Sequence, residues 1–139
     1  MANFFEKAFI GMHVNLYRWT GGRLMGKIGG TPVLLLTTTG RKTGKARTTP
    51  LGYFVAEGDY IVVASNGGRP ARPAWYLNLT HTPQVTIQVG GKAMPATAES
   101  INGEARAVLW RKIAAESSAY APFAQPERDI PLVRLHPAR

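Results

Sequence analysis

Thr37-Thr38-Thr39-Gly40-Arg41-Lys42-Thr43-Gly44-Lys45-Ala46-Arg47-Thr48-Thr49-Pro50 is the stretch on which the reading of this chain turns. It sits between short β-type runs, Val33 to Thr39 on one side and Arg47 to Val55 on the other, so Gly40 to Lys45 reads as the connection of two antiparallel strands. The connection gathers four cations, Arg41, Lys42, Lys45 and Arg47, within seven residues. Glycines let the backbone aim its N–H groups at a ligand, and Arg and Lys add charge; the hairpin therefore predicts an anion cradle with phosphate as its natural guest. A solvated basic turn accounts for the same residues without a ligand. A P-loop does not: three residues rather than four separate Gly40 from Gly44, Ala46 replaces the hydroxyl after the lysine, and a strand rather than a helix follows.

Outward from this hairpin the β pattern continues. Glu57-Gly58-Asp59 punctuates a tight turn into Tyr60 to Ser65, Asn66 to Pro73 is a loop, and a short helix starts at Pro73 and runs through Leu79. Val85 to Val89 alternates apolar and polar residues, Gly90-Gly91 turns the chain, and Ala93 to Ser100 returns. Gly103 to Tyr120 reads as a C-terminal helix and Ile130 to Leu135 as a closing strand. Before the hairpin, Phe5, Phe9, Met12, Leu16 and Trp19 recur at helical spacing and Gly21-Gly22 ends that amphipathic helix, which either packs on the domain or lies on a membrane surface. Short antiparallel strands with helices at the ends and one inserted helix describe an α+β barrel rather than a doubly wound parallel sheet.

At 139 residues and 45% apolar composition the chain builds one core, and residues 1–139 are expected to form a single domain. Absence of cysteine excludes disulfides, thiolate nucleophiles and cysteine-bound metals. No apolar run approaches the roughly 20 residues of a membrane span, and the N-terminal residues carry no secretory pattern, so the expected location is cytoplasmic. The formal charge of +9 calls for an anionic partner but does not choose among nucleic acid, anionic lipid and a phosphorylated cofactor.

A second constellation is Ala64-Ser65-Asn66-Gly67-Gly68 followed by Pro73-Ala74-Trp75-Tyr76-Leu77-Asn78-Leu79. Small residues at a strand end admit a flat ring, and Trp75 and Tyr76 either bound that ring or belong to the core. Ser65 with His13, His81 and His136 assembles no triad, and eight acidic residues without motif-like spacing leave little material for acid–base or metal chemistry; no metal site is expected. If the protein is an enzyme, a bound cofactor carries the reaction.

In TTTGRKTGKARTTPLGYF, VVASNGGRPARPAWYLNL, HTPQVTIQVGG and RDIPLVRLHP the chain resembles the deazaflavin-dependent nitroreductase family, whose members bind coenzyme F420 on a split β-barrel. The resemblance spans nearly the whole chain. It implies a coenzyme phosphate held by Arg41, Lys42, Thr43 and Arg47, with Thr48, Thr49, Pro50, Leu51 and Gly52 beside the deazaflavin. Val63, Ala64, Ser65 and Asn66 would line its other edge, and Ala74, Trp75, Tyr76, Leu77 and Asn78 match the inserted helix that covers the cofactor. Trp75, Tyr120 and Phe123 would bound the substrate pocket. Two positions depart from the family: Asn66 stands where a lysine is known, and Phe123 replaces the second of two tyrosines three apart, leaving Tyr120 as the tyrosine proton donor beside the alternatives Ser65 and water.

The expected activity is hydride transfer from F420H2 to an electron-poor, apolar acceptor such as a quinone, enone or nitroaromatic. Rivals are an FMN-binding oxidoreductase on the same barrel, a non-catalytic F420 carrier, and a basic nucleic-acid-binding module, which lacks a module motif. Nucleic acid is not the expected partner, and weak peripheral association with the inner face of the cell membrane is.

Overall fold

Four consecutive apolar residues, Val33 to Leu36, are each no more than 2% exposed, so this strand is covered on both faces and the sheet is built around it. A computed structural model describes residues 27–28, 31–65, 72–116 and 130–138. These form, in chain order, β1 (Lys27–Ile28), β2 (Thr31–Thr39), β3 (Ala46–Gly52), β4 (Phe54–Ala56), β5 (Asp59–Val63), α1 (Ala74–His81), β6 (Gln84–Val89), β7 (Lys92–Ile101), α2 (Gly103–Glu116) and β8 (Leu132–Pro137).

All described pairings are antiparallel, and the order is β1-β2-β6-β7-β8-β5-β4, with β3 paired to β2 on the edge opposite β6. β3 and β4 therefore lie at opposite margins of the sheet, yet only Tyr53 separates them in the chain. Successive Cα atoms are about 3.8 Å apart, so the two margins must come together and the sheet curls into a barrel. Among the described residues β3 pairs only with β2, which leaves the barrel split along its other edge.

Side-chain alternation divides the apolar residues between two faces. Inside the curl, Leu34, Leu36, Val62, Val85, Ile87, Ala96, Ala98, Val133 and Leu135 pack with Leu79 of α1. Outside it, Ile61, Val63, Ile101 and Leu132 pack with Trp110 and Ile113 of α2 and with Ile130.

The expected α+β antiparallel architecture stands, with shifted boundaries. The run Arg47 to Val55 is broken at Tyr53, whose amide donates to the Pro32 carbonyl at 3.0 Å as the chain crosses between margins. Pro73 is not the first helical residue but the cap before it, in extended conformation with ψ 150°, its carbonyl accepting from the amides of Tyr76 and Leu77. The closing strand starts after Pro131, which has no N–H for the ladder and whose carbonyl instead accepts the Ala64 amide at 3.0 Å. The two-residue strand β1 was not anticipated. The expected N-terminal helix, the end of the expected helix over residues 117–120, and the residues Asn66, Tyr120 and Phe123 lie outside the described residues.

Candidate functional site

The β2–β3 turn is built by its own backbone. The Gly40 amide donates to the Lys45 carbonyl at 2.8 Å, and the Gly44 amide donates to the Gly40 carbonyl at 2.8 Å. The Lys45 amide donates to Thr43 Oγ1 at 3.2 Å, and the Arg41 amide to Asn78 Oδ1 on α1 at 3.1 Å. Gly44 has φ +71°, a left-handed conformation that only glycine adopts without cost. Gly40 is required for space: a Cβ there would meet Thr43 Oγ1 at 2.9 Å and the Lys45 carbonyl oxygen at 3.2 Å.

The consequence differs from the sequence expectation. The glycine amides close the turn rather than face a ligand, while the amides of Lys42 and Thr43 make no hydrogen bond among the described residues. The side chains of Arg41, Lys42, Lys45 and Arg47 are exposed around them, and among the described residues no carboxylate pairs with any of the four. Two available donors beside unneutralised cations are a donor set suited to an anion. The Thr43 hydroxyl, already accepting from Lys45, keeps its own proton to donate.

Register sorts the residues expected beside the ring. Arg47, Thr49 and Leu51 oppose Thr38, Leu36 and Leu34 on the inner face; Thr48, Pro50 and Gly52 oppose Thr37, Leu35 and Val33 on the outer one. Thr48 Oγ1 lies 2.8 Å from Thr37 Oγ1 in a cross-strand hydroxyl pair. One planar ligand cannot touch the four side chains from Thr48 to Leu51 together, and the strand offers it either the inner side chains or its open backbone edge.

At the end of β5, Val63 is buried in the outer cluster and Ala64 is 2% exposed, so their side chains are engaged in packing, and the Ala64 amide is taken by the Pro131 carbonyl. Ser65 is half-buried. On α1, Ala74 is exposed, while Trp75, Tyr76 and Leu77 are half-buried. Trp75 and Tyr76 meet edge to face with centroids 6.4 Å apart and, with Leu51, lie against the inner cluster. The aromatic pair thus serves the core with one side and leaves the other open.

The family match decides what this arrangement belongs to. A family model described as F420H(2)-dependent quinone reductase matches residues 10–137. The chain belongs to this family. The F420H(2)-dependent quinone reductase Rv1261c of Mycobacterium tuberculosis is 43% identical over 131 residues, covering 89% of this chain and 87% of that protein. A second relative from that organism, named putative F420H(2)-dependent quinone reductase Rv3178, is 38% identical over 110 residues, 76% of this chain and 90% of its own. Among solved structures, an F420-H2 dependent reductase (FDR-A) is 42% identical with a TM-score of 0.64, covering 76% of this chain and 94% of that one.

Against this quinone reductase family the fold brings together the basic turn, β3 and α1, and leaves Val63 facing away. Sequence reasoning missed Thr38, which is 2% exposed and whose hydroxyl accepts from Asn78 Nδ2 at 3.2 Å. It also missed an ionic cluster on the outer face: Asp59 Oδ2 lies 3.0 Å from Arg134 Nη1 and Asp59 Oδ1 lies 2.6 Å from His136 Nδ1. Arg134 further lies 3.7 Å from Glu99. Burial pushes the Asp59 carboxyl up, but hydrogen bonds from Arg134 and His136, with their charges, outweigh it and hold the group below its ordinary value. Among the described residues no cluster of His, Asp or Glu could hold a metal, and no helix is long and apolar enough to cross a membrane.

Proposed function

We propose that this chain is an F420H2-dependent quinone reductase whose coenzyme phosphate is held in the β2–β3 turn. The observation that carries the reading is the pair of available amides at Lys42 and Thr43 within four exposed, unneutralised cations, in a chain of this family. The residues fit the coenzyme: the turn takes a phosphate, and Leu51 with Trp75 offers an apolar surface for a flat ring. The FMN-binding alternative finds no support among the relatives, which are named for F420.

When bound, the reduced deazaflavin supplies a hydride to an electron-poor acceptor such as a quinone, enone or nitroaromatic. Arg41, Lys42, Thr43 and Arg47 would hold the anionic end by charge-assisted hydrogen bonds. β3 with Leu51 would carry the ring, and Trp75 and Tyr76 would exclude water from it. Addition of hydride to a quinone or enone leaves an oxyanion or enolate that a group must protonate, and Tyr120 is the proposed donor, ahead of Ser65 and water.

One set of titrations and assays tests these roles. Arg41→Ala and Lys42→Ala each weaken F420 binding, read by fluorescence, by about 1.5 to 3 kcal/mol with folding little changed. Tyr120→Phe keeps F420 affinity and lowers turnover on a good quinone on the order of a hundredfold. Undiminished affinity in both turn variants would remove the phosphate assignment, and turnover within a few-fold would remove Tyr120.

The charge of +9 and the apolar spacing of Phe5, Phe9, Met12, Leu16 and Trp19 support weak attachment to an anionic membrane, where a lipid-soluble quinone is met. Partition onto anionic vesicles is expected to vanish in salt and on deletion of residues 1 to 20; partition that survives the deletion places the attachment elsewhere.

A further inference from the structure

The inserted helix and the anion turn are joined by one buried side chain. Asn78 is 5% exposed, and both of its polar atoms are engaged within the protein: Oδ1 accepts from the Arg41 amide at 3.1 Å and Nδ2 donates to Thr38 Oγ1 at 3.2 Å. Its partners lie 37 and 40 residues away in sequence. Asn78 also anchors its own helix end, its carbonyl accepting from the Thr82 amide at 2.8 Å.

We infer that Asn78 is a positioning residue that clasps the turn to α1 and acts on the coenzyme through the Arg41 main chain rather than by touching it. The geometry makes the clasp directional. With the Arg41 amide taken by Asn78 and those of Gly40, Gly44 and Lys45 taken inside the turn, Lys42 and Thr43 are left as the two backbone donors. Releasing Arg41 would free the first residue of the turn to rotate and disperse the donors the phosphate needs. Thr38 completes the device: at 2% exposure it lies beyond reach of a ligand, and its hydroxyl holds the asparagine amide in the orientation that points Oδ1 at Arg41. A buried amide deprived of that partner would be free to flip.

The effect on the coenzyme rests on the function proposed above, whereas the effect on the turn does not, so the test reads both. Hydrogen exchange of the Arg41 amide is measured by NMR without coenzyme, and F420 affinity by fluorescence, in Asn78→Leu, Thr38→Val and Thr38→Ser. Expected for the first two is Arg41 exchange faster by roughly tenfold and F420 binding weaker by a comparable factor, the scale of one buried hydrogen bond, with Thr38→Ser near wild type in both. Thr38→Val is close to isosteric and keeps the test open if Asn78→Leu fails to fold. Weaker F420 binding in Asn78→Leu with unchanged Arg41 exchange and an unaffected Thr38→Val would mean direct contact and overturn the inference. Unchanged exchange in both variants would overturn it as well. Wild-type protein that fails to bind F420 would sink the coenzyme reading alone, leaving the clasp to be decided by exchange.

Discussion

Asp59 shows how much a single buried carboxylate depends on partners distant in sequence. Its side chain is 9% exposed and is held by Arg134 and His136, 75 and 77 residues away. Because its folded pKa lies below the ordinary carboxylate value, the folded state binds this proton less readily than the unfolded one. The stabilisation is therefore fully present above about pH 4, where an unfolded aspartate is ionised, and is lost as pH falls through the lowered value. Asp59→Asn is expected to lower stability at pH 7 by about 2 kcal/mol, the scale of hydrogen bonds to a charged group. The gap between wild type and variant, followed by urea unfolding from pH 7 to 3, should be flat at neutral pH and narrow below about pH 4. A gap that stays constant to pH 3 would show that the carboxylate's charge is not what matters. No spacing in the sequence announces this cluster, because it exists only through the register that sets Tyr60 opposite Leu135 and Glu99 opposite Arg134.

At the scale of elements, the β4–β5 hairpin turns on Glu57 and Gly58, with φ of 56° and 81°. Positive φ at both central positions is the hairpin turn that favours Asn-Gly. Glu57 pays for a left-handed conformation with no compensating side-chain bond among the described residues, so Glu57→Asn should raise stability by about 0.5 to 1 kcal/mol in thermal unfolding; no gain would mean that Glu57 makes a contact that offsets its strain. This hairpin was legible because local chemistry sets it, as was the return through Gly90-Gly91. The β2–β3 connection was legible too, from glycine and charge. The break at Tyr53 was not, since nothing local distinguishes a strand that continues from one that crosses to the other margin. The division of Thr48 to Gly52 between two faces follows from strand alternation once the pairing Thr38↔Arg47 is known. Asn78 was picked out by resemblance as a coenzyme contact; only the fold shows that its side-chain amide also joins Arg41 to Thr38.

For the molecule as a whole, the sheet separates two apolar cores that do different work. The inner one carries the proposed site: Leu51, Trp75 and Tyr76 lie against it, and β2 delivers Thr38 and the basic turn from it. The outer one fastens α2, through Trp110 and Ile113 and through Arg106, which donates to the Ile130 carbonyl at 2.6 Å while its guanidinium lies 5.8 Å from the Trp110 ring centroid. Because one sheet forms the floor of both, they should unfold together, yet a defect confined to the outer side need not reach the site. Ile113 is 1% exposed in the outer core. Ile113→Ala leaves a cavity there and is expected to cost about 2 to 5 kcal/mol, a large share of the roughly 5 to 15 kcal/mol that holds a domain together. F420 affinity, measured well below the lowered melting temperature, should stay within about twofold of wild type, because the turn, β3 and α1 keep their packing. Leu36→Ala supplies the contrast. It lies opposite Thr49 on the inner face, two residues before Thr38, so a loss of similar size in stability should come with weaker coenzyme binding. If Ile113→Ala weakens F420 binding as much as Leu36→Ala does, the sheet transmits the defect and the two faces do not act separately.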